Sequence, residues 1–485
     1  MKKLIAILLA LFSLLFVVSA CASGKDKKPG PSVDPDESEW RDEVPEMDMG
    51  GAVINFYVSE SDPPELALSA RSIAVEEDDG DIVNTEIYNR NKRLEARFNC
   101  EIVLVEANAS GIQAAVTPTL MSGTPDYDIL GGRQHDDIDL CLDGYLVNFN
   151  NLADFNADYI DVDQPWWGKD YIEKMSYKDK TYWLTGILSL RYISGARCFF
   201  VNERLYQRYL NETYGSLYSI VKSGDWTLDL MASMASLCYS DENGNDIGDA
   251  GDIFGLNIGL GDDFTDALAY AYGVRYSSVA ADGTISFDLN TANALYFEYM
   301  NKATGIYMSK YSFHLSSSTG PTFAAGEVLF QGARLQYAQN YREMEDDFYV
   351  VPLPKKTKDM GYTTTLHDGN LLFGIAHCSE QIPYAAAILE SMAAEAYDKV
   401  MPAYYELALK YKYTRDEEAA DVIDIIRDST TTDFGYIWGR TIDCLYFTRR
   451  SFNGGAYSQM AKLQDGWIFN FQKLIEDFEK VGVTE

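Results

Sequence analysis

The sequence predicts an α/β fold with a parallel sheet, and three observations lead to this prediction. Short runs of β-branched and aromatic residues alternate with helical patterns along the 485-residue chain. A run, a helix and a second run over residues 52–107 form a βαβ unit, whose right-handed crossover connects parallel strands. A composition of 47% hydrophobic and 24% charged residues is that of a globular protein long enough for two domains.

The first five predicted elements place a candidate site at the end of a strand. They are a strand, a helix, a strand, a helix and a short buried strand, at residues 52–60, 82–99, 100–107, 111–125 and 127–132. The short strand ends in Gly131 and Gly132, and Arg133 follows. Ligands of open α/β sheets bind beyond the carboxyl ends of strands. Arg133 is therefore either a ligand contact or a solvated side chain beside a glycine turn.

The later elements continue the alternation. The segment ARCFFVNERLYQRYL is a strand followed by a helix, and WTLDLMASMASLCYS is a helix with Thr227 as its N-cap. Trp226 directly precedes that helix, and we expect it to anchor the helix and not to face a ligand. Strands are predicted within AAGEVLFQGARLQY, DDFYVVPLPKK and TTTLHDGNLLFGIAH. The chain from Pro383 to about Leu409 and most of the last seventy residues are predicted to be helical.

The N-terminus predicts export. Two lysines precede an uncharged apolar run over residues 4–18, which is short for a membrane span of about 20 residues, and small residues follow it. The residues Val-Ser-Ala-Cys then resemble the bacterial lipoprotein signal, in which Cys21 is acylated; an ordinary signal peptide is the alternative. We predict a signal peptide over residues 1–20 and a flexible linker, rich in Pro, Gly, Ser and charge, over residues 21–50.

The charge and the motif content argue against several function classes. A formal net charge of −34 would repel phosphate backbones, so no nucleic-acid partner is expected. The six cysteines after Cys21 and the four histidines show no metal spacing, and common catalytic motifs are absent. A glycosidase pair of carboxylates could still lie among the 74 acidic residues. No sequence repeat supports a structural adhesin. We predict no catalytic residue and no organic cofactor.

A series of short motifs in a fixed order carries a resemblance to a known family. The series is DYDIL at 126–130, PWW at 165–167, KTYWLTGILSLRY, CFFVNERL, SGDWTLDLMA, AAGEVLFQG and DFYVVPLPKK. From residue 52 to the C-terminus, the chain resembles the extracellular solute-binding lipoproteins of ABC importers, in the sugar-binding kind. The resemblance implies a periplasmic-binding-protein-like class II fold with two lobes, each a mixed sheet flanked by helices, and a ligand cleft between them.

The resemblance also implies where the chain passes between the two lobes. We expect crossings near Ser189–Tyr192, Val351–Pro354 and Leu407–Tyr413. They divide the chain into a first lobe and a second lobe, of residues 51–188 with 352–406 and residues 192–350 with 412–485. Hinge motion at the crossings would close the lobes on a solute.

Candidate ligand contacts follow from what a sugar needs. Sugar C–H faces stack on aromatic rings, and sugar hydroxyls hydrogen-bond to charged and amide side chains. Trp166 and Trp167 either line the cleft or pack in the core. The polar candidates lie at strand ends and crossings, and they are Arg133, Arg191, Tyr192, Arg334, Asp368 and Asn370. Each of these could instead form a surface or hinge ion pair.

The segment DENGNDIGDAGD is a candidate calcium site. Positions 1, 3, 5, 9 and 12 of a twelve-residue calcium loop are occupied by Asp241, Asn243, Asn245, Asp249 and Asp252. Position 6 is Asp246 where such loops have Gly, and the last position is Asp where they have Glu. Similar loops hold structural calcium in some solute-binding proteins; a solvated acidic turn is the alternative.

The sequence thus predicts a monomeric receptor, lipid-anchored on the extracytoplasmic face of the cell membrane. It would bind a mono- or oligosaccharide and deliver it to ABC permease subunits, without a reaction of its own. The alternatives are a receptor for a peptide or another polar metabolite and, with less support, a secreted carbohydrate-active enzyme.

Overall fold

The computed structural model describes residues 41–60, 68–107, 111–124, 126–246, 248–249, 251–259, 263–290, 293–313, 322–410, 417–452 and 455–482. Its strands are β1 (Ala52–Ser59), β2 (Cys100–Ala107), β3 (Ile129–Arg133), β4 (Arg197–Asn202), β5 (Phe254–Asn257), β6 (Ser277–Val279), β7 (Ile285–Phe287), β8 (Ser312–Phe313), β9 (Val328–Arg334), β10 (Phe348–Pro352) and β11 (Leu371–Ile375). The α-helices span Ser69–Ile73, Ile82–Phe98, Gln113–Ser122, Lys169–Met175, Arg191–Ser194, Glu203–Tyr209, Asn211–Tyr214, Leu217–Lys222, Leu228–Cys238, Asp263–Ala271, Ala294–Tyr307, Ile382–Glu395, Met401–Lys410, Glu417–Asp428, Phe434–Ile437, Gly439–Ile442, Phe447–Ser451 and Ala456–Lys480. A π-helix covers Ala396–Val400, and 3-10 helices cover Ile138–Asp143, Phe149–Phe155 and Leu335–Tyr341. The predicted signal peptide, Cys21 and the linker up to residue 40 lie outside the described residues.

Four strands form a first sheet in the order β11-β3-β1-β2. β1 pairs in parallel with β2 and with β3, and β11 runs antiparallel to β3. Alternate residues of β1 (Ile54, Phe56, Val58) point into the core. Gly131 lies opposite Val58, and a Cβ at Gly131 would come within 2.4 Å of that side chain, so this close approach requires glycine. The predicted βαβ unit is confirmed.

Residues 41–50, expected to be flexible, dock on the helix Ile82–Phe98. Arg97 of this helix binds the Asp42 carboxylate at 2.8 and 3.0 Å and the Val44 carbonyl at 2.6 Å. Val44 and Met49 are buried. The composition of the segment suggested a linker, but one ion pair and two buried apolar side chains are enough to order its last ten residues.

Five strands form a second, mixed sheet in the order β10-β4-β9-β5-β8. β4 runs antiparallel to both of its neighbours, and β5 runs parallel to β9 and β8. Trp226 is fully buried and donates its indole N–H to the Pro352 carbonyl at 2.8 Å. Thr227 caps the helix Leu228–Cys238 by accepting from the Leu230 N–H. Trp226 therefore anchors this helix, as its position in the sequence suggested.

Two stretches of chain connect the sheets side by side. The outgoing stretch begins after Leu184, which forms a β-bridge with Phe373 of β11. It leads into β4 of the second sheet. On the return, Leu366 pairs with Ala196. Residues 353–362 still contact the helices of the second sheet, since the Leu228 N–H donates to the Lys355 carbonyl. We call residues 363–370, between this segment and β11, the return passage, and the expected crossing at Val351–Pro354 stays a prediction.

The third expected crossing, Leu407–Tyr413, lies partly outside the described residues, and the lobe boundaries stay a prediction. The C-terminal helices contact residues that precede β4 in the chain. The Trp438 indole donates to the Met175 carbonyl at 3.0 Å, and the Tyr177 hydroxyl donates to Glu479 at 2.6 Å.

The six cysteines among the described residues are free thiols. Within the same residues, the structure holds no helix with the length and apolar content of a membrane span.

Candidate functional site

A cavity of about 490 Å³ opens at the carboxyl ends of β5 and β9. These strands are parallel, so their ends meet at one edge of the second sheet, which is where α/β proteins bind ligands. The start of helix Asp263–Ala271, the 3-10 helix Leu335–Tyr341 and the return passage complete the wall. The described lining residues are Arg197, Asn257, Gly259, Asp263, Phe264, Thr322, Phe323, Ala324, Gln331, Gly332, Ala333, Arg334, Tyr337, Tyr341 and His367.

Two arginines lie side by side in this wall. Arg197 on β4 is the antiparallel partner of Arg334 on β9. Like charges directly opposite each other destabilise a sheet, and Asp263 offsets this because its carboxylate pairs with Arg197. Burial favours the neutral form of Asp263, but the charge of Arg197 outweighs burial and holds the pKa of that carboxyl below its usual range. Asp263 is therefore ionised at neutral pH.

His367 is neutral, and its partners define its tautomer. Burial lowers the pKa of His367 well below its ordinary value against the raising effect of Asp263, and the nearby arginines lower it further. The Gly369 N–H donates to Nδ1 at 3.0 Å, and Nη1 of Arg334 lies 3.4 Å from the same nitrogen. Nδ1 is thus the acceptor, and Nε2 carries the proton at 3.9 Å from an Asp263 oxygen. The imidazole adds a polar group to the wall but no charge.

Amide and aromatic side chains form much of the remaining wall. The Asn257 amide donates to Gln331 Oε1 at 3.0 Å. Phe264 lies close to Gly332, where a Cβ would come within 2.4 Å of the ring. The Tyr337 ring centre is 5.3 Å from the Arg334 guanidinium carbon. Charged donors, planar amides and aromatic faces together suit a polyhydroxylated solute, which needs both hydrogen bonds and C–H contacts.

Of the predicted polar contacts, Arg334 lines the cavity. Asp368 follows the lining residue His367, but its carboxylate binds Arg449 at 2.7 and 2.9 Å. Asn370 is buried, and its amide donates to the Thr185 hydroxyl at 3.1 Å. Arg133 extends from the end of β3 and pairs with Asp136 at 2.7 Å. The structure thus places Arg334 in the cavity lining and Asp368 directly after a lining residue, and it places Asn370 and Arg133 outside the lining.

The two residues predicted at the first crossing are both buried. Arg191 donates from Nε to the Ser69 hydroxyl at 3.0 Å and from Nη2 to Glu60 at 3.1 Å. The Tyr192 ring packs edge-on against Tyr171, with 6.4 Å between the ring centres. Neither side chain lines the cavity, and both fix the start of the crossing to the first sheet and its helices.

Trp166 and Trp167 share one buried carboxylate. Their indole N–H groups donate to the two oxygens of Glu390, at 3.0 and 2.8 Å, and neither ring lines the cavity. Burial raises the pKa of Glu390 to about 7, against the lowering by the two indole hydrogen bonds. The contacts of these tryptophans correspond to the core-packing interpretation that the sequence left open.

Arg197, Asp263 and His367 line the cavity but were not predicted from the sequence. A usable signal existed for Asp263, because it follows a strand of the second sheet by a few residues, much as Arg133 ends β3. The pairing of Arg197 with Arg334 depends on the register between β4 and β9, which residue patterns alone do not specify.

The candidate calcium loop is held by its own hydrogen bonds. Asp241 accepts from the Gly244 and Asp246 N–H groups at 2.7 and 2.9 Å, and Asp246 has the positive φ of 58° that glycine adopts at position 6. The side-chain amides of Asn243 and Asn245 donate to Asp249 at 2.8 and 2.9 Å. The part of the chain that the structure describes contains no group of three or more His, Cys, Asp or Glu side chains arranged to hold a metal ion.

Calcium binding by this loop stays a prediction, and melting tests it. If the loop binds calcium, the melting temperature should be higher in CaCl₂ than in EGTA, because an ion that binds only the folded chain adds about 2.7 kcal/mol at a hundredfold excess over its Kd. The variant Asp249→Ala should lose the difference. Equal melting temperatures in CaCl₂ and EGTA would contradict calcium binding and support the interpretation as a solvated acidic turn.

No protein-family model and no curated protein matches the sequence, whereas solved structures match most of it. CpMnBP1 with mannotriose bound superposes with a TM-score of 0.53 at 16% identity, over 86% of this chain and 100% of that one. The sugar-binding protein MalE from the phytopathogen Xanthomonas citri gives 0.60 at 10% identity, over 89% and 100%. UgpB from Mycobacterium tuberculosis in complex with glycerophosphocholine gives 0.54 at 12% identity, over 88% and 100%.

At these identities the similarity shows the fold. The chain has the two-lobe α/β fold of the sugar-binding proteins of ABC importers, with mixed sheets flanked by helices, which confirms the predicted fold class. We call the parts built around the first and second sheets the first lobe and the second lobe.

Proposed function

We propose that the protein is an extracytoplasmic receptor that binds a small carbohydrate and delivers it to an ABC importer. The cavity wall is the observation that carries this proposal. Arg197, Asp263 and Arg334 converge there with amides and aromatic rings, at the strand ends of a two-lobe fold. Two fold neighbours add support, since CpMnBP1 holds mannotriose and the Xanthomonas citri MalE is a sugar-binding protein.

Such a receptor works by closing its lobes on the solute and does not catalyse a reaction. A solute that contacts both lobes binds the closed state more tightly than the open one, and it shifts the population by that difference in affinity. Permease subunits would then recognise the closed state. The lipid anchor at Cys21 and the monomeric state belong to the same proposal, and they rest on the sequence.

A glycosidase would need an accessible carboxylic acid in the site. Burial raises the pKa of Asp266 against the lowering by Arg449. Asp266 is fully buried beneath Arg449, however, and it does not line the cavity. The lining carboxyl, Asp263, has its pKa shifted the other way. This arrangement favours binding without a reaction.

The second candidate is a receptor for a phosphate-bearing polar metabolite. Two guanidinium groups side by side form a common geometry for phosphate recognition. UgpB, which shares the fold, is in complex with glycerophosphocholine.

Thermal melting against a panel of solutes separates these candidates. The chain from residue 21 with Cys21→Ser would be melted with maltose, maltotriose, mannobiose, mannotriose, glycerophosphocholine and short peptides. We expect one carbohydrate group to raise the melting temperature, since a solute at a hundredfold excess over its Kd adds about 2.7 kcal/mol of stability. A shift with glycerophosphocholine alone supports the second candidate. Hydrolysis of any panel sugar would instead identify an enzyme.

A further inference from the structure

One guanidinium group does not line the cavity but contacts residues next to its wall. Arg449 lies in the helix Phe447–Ser451 and is 9% exposed. Its two terminal nitrogens donate to the two oxygens of Asp368, at 2.7 and 2.9 Å, and its Nε donates to Asp266. One planar group thus joins two carboxylates on different elements, a geometry that lysine cannot reproduce.

Both carboxylates lie next to wall residues. Asp266 is one helical turn after Asp263, so the two carboxylates share a face of the helix Asp263–Ala271. Asp368 directly follows His367, and its backbone N–H points to Asp263 Oδ2 at 3.4 Å. A shift of either carboxylate would therefore move a lining side chain.

We propose that Arg449 is a positioning residue of the solute site, which fixes Asp263 and His367 in the wall by holding Asp266 and Asp368. Its effect on solute affinity rests on the proposed function, whereas its effect on the wall does not. Because the guanidinium binds both carboxylates at once, the helix and the return passage keep one relative position.

The same cluster reaches the first lobe. His135, which follows β3, has Nε2 at 3.6 Å from Asp368 Oδ1, and its ring packs edge-on against Tyr436. Its Nδ1 lies 3.1 Å from the Ile437 carbonyl. Arg449 thus connects the wall of the second lobe to a residue at a strand end of the first lobe, through Asp368. A substitution of Arg449 should therefore alter the surroundings of residues in both lobes, on either side of the return passage.

A purely structural ion pair would also lower stability when broken, so the test reads the wall itself. The chain has four histidines, which makes their imidazole signals practical to assign by NMR through the variants His367→Gln and His377→Gln. We expect Arg449→Met and the nearly isosteric Asp368→Asn to shift the His367 signals. His377 packs edge-on against Phe155 and does not line this cavity, so its signals should stay in place. Arg450→Met, at the exposed neighbouring position, is the matched control.

Solute affinity is the second readout, at a temperature where every variant is folded. For the panel solute that raises the wild-type melting temperature most, Arg449→Met and Asp368→Asn should each raise Kd at least tenfold, and the double variant should add little to either. Unchanged His367 signals in both folded variants would overturn the proposal. If no panel solute binds the wild type, the proposed function fails, and the His367 signals alone decide the role of Arg449.

Discussion

Replacing Asp263 with alanine is expected to lower the free energy of unfolding by about 3–5 kcal/mol. The change leaves the guanidinium of Arg197 buried opposite Arg334 without the carboxylate that pairs with it. Chemical denaturation of the variant and the wild type, compared by their midpoints at equal m-values, measures the loss.

Asp229→Ala is the matched control for this prediction. Asp229 also lies in the first turn of a helix and also pairs with a basic residue, Lys302, but its side chain is 67% exposed. Exposed ion pairs contribute at most about 1 kcal/mol, so the control should stay close to the wild type. Equal losses for the two variants would contradict the role given to the buried pair of Asp263 and Arg197.

Replacing Glu390 with alanine is expected to cost about 2–6 kcal/mol. The change removes the acceptor of two buried indole N–H groups, those of Trp166 and Trp167, and each unpaired buried donor costs about 1–3 kcal/mol. Glu395→Ala, at the end of the same helix, breaks only a partly exposed pair with Arg93 and should cost less than about 1 kcal/mol. A neutral Glu390→Ala variant would show that the indoles find other partners.

Glu390 also gives the stability a pH dependence of defined sign. Its pKa is raised to about 7 in the folded state, whereas an unfolded chain has a glutamate pKa near 4.3. Between these values the folded chain keeps a proton that the unfolded chain has released, so this contribution to stability is present below about pH 4 and is lost as the pH rises through 7. Glu390→Gln should flatten that part of the stability profile. An unchanged slope in this variant would assign the dependence to another group.

The elements of the fold could be read from the sequence because their signals are local. The alternation in β1, the cap at Thr227 and the anchoring Trp226 each depend on a few neighbouring residues, and the structure has them as expected. The docking of residues 41–50 could not be read in this way. It depends on Arg97, far along the chain, which binds Asp42.

The site was harder to predict for the same physical reason. Arg334 could be placed because it ends a strand, but its neighbour Arg197 reaches the wall only through the register of β4 on β9. The tryptophan pair looked suited to a ligand because aromatic faces bind sugars. Their contact with Glu390 could not be predicted from the sequence, because Glu390 lies more than two hundred residues later. Its buried carboxylate binds both indoles.

Isothermal titration of the chain with the best panel solute tests the central claim, that one solute molecule binds at the cavity lined by Arg334. We expect binding with one site per chain. The Kd should be about 10–150-fold higher for Arg334→Ala, because a hydrogen bond to a charged group contributes about 1.5–3 kcal/mol, and it should be unchanged for Arg450→Ala. No binding of any panel solute, or binding that Arg334→Ala leaves unchanged, would contradict it.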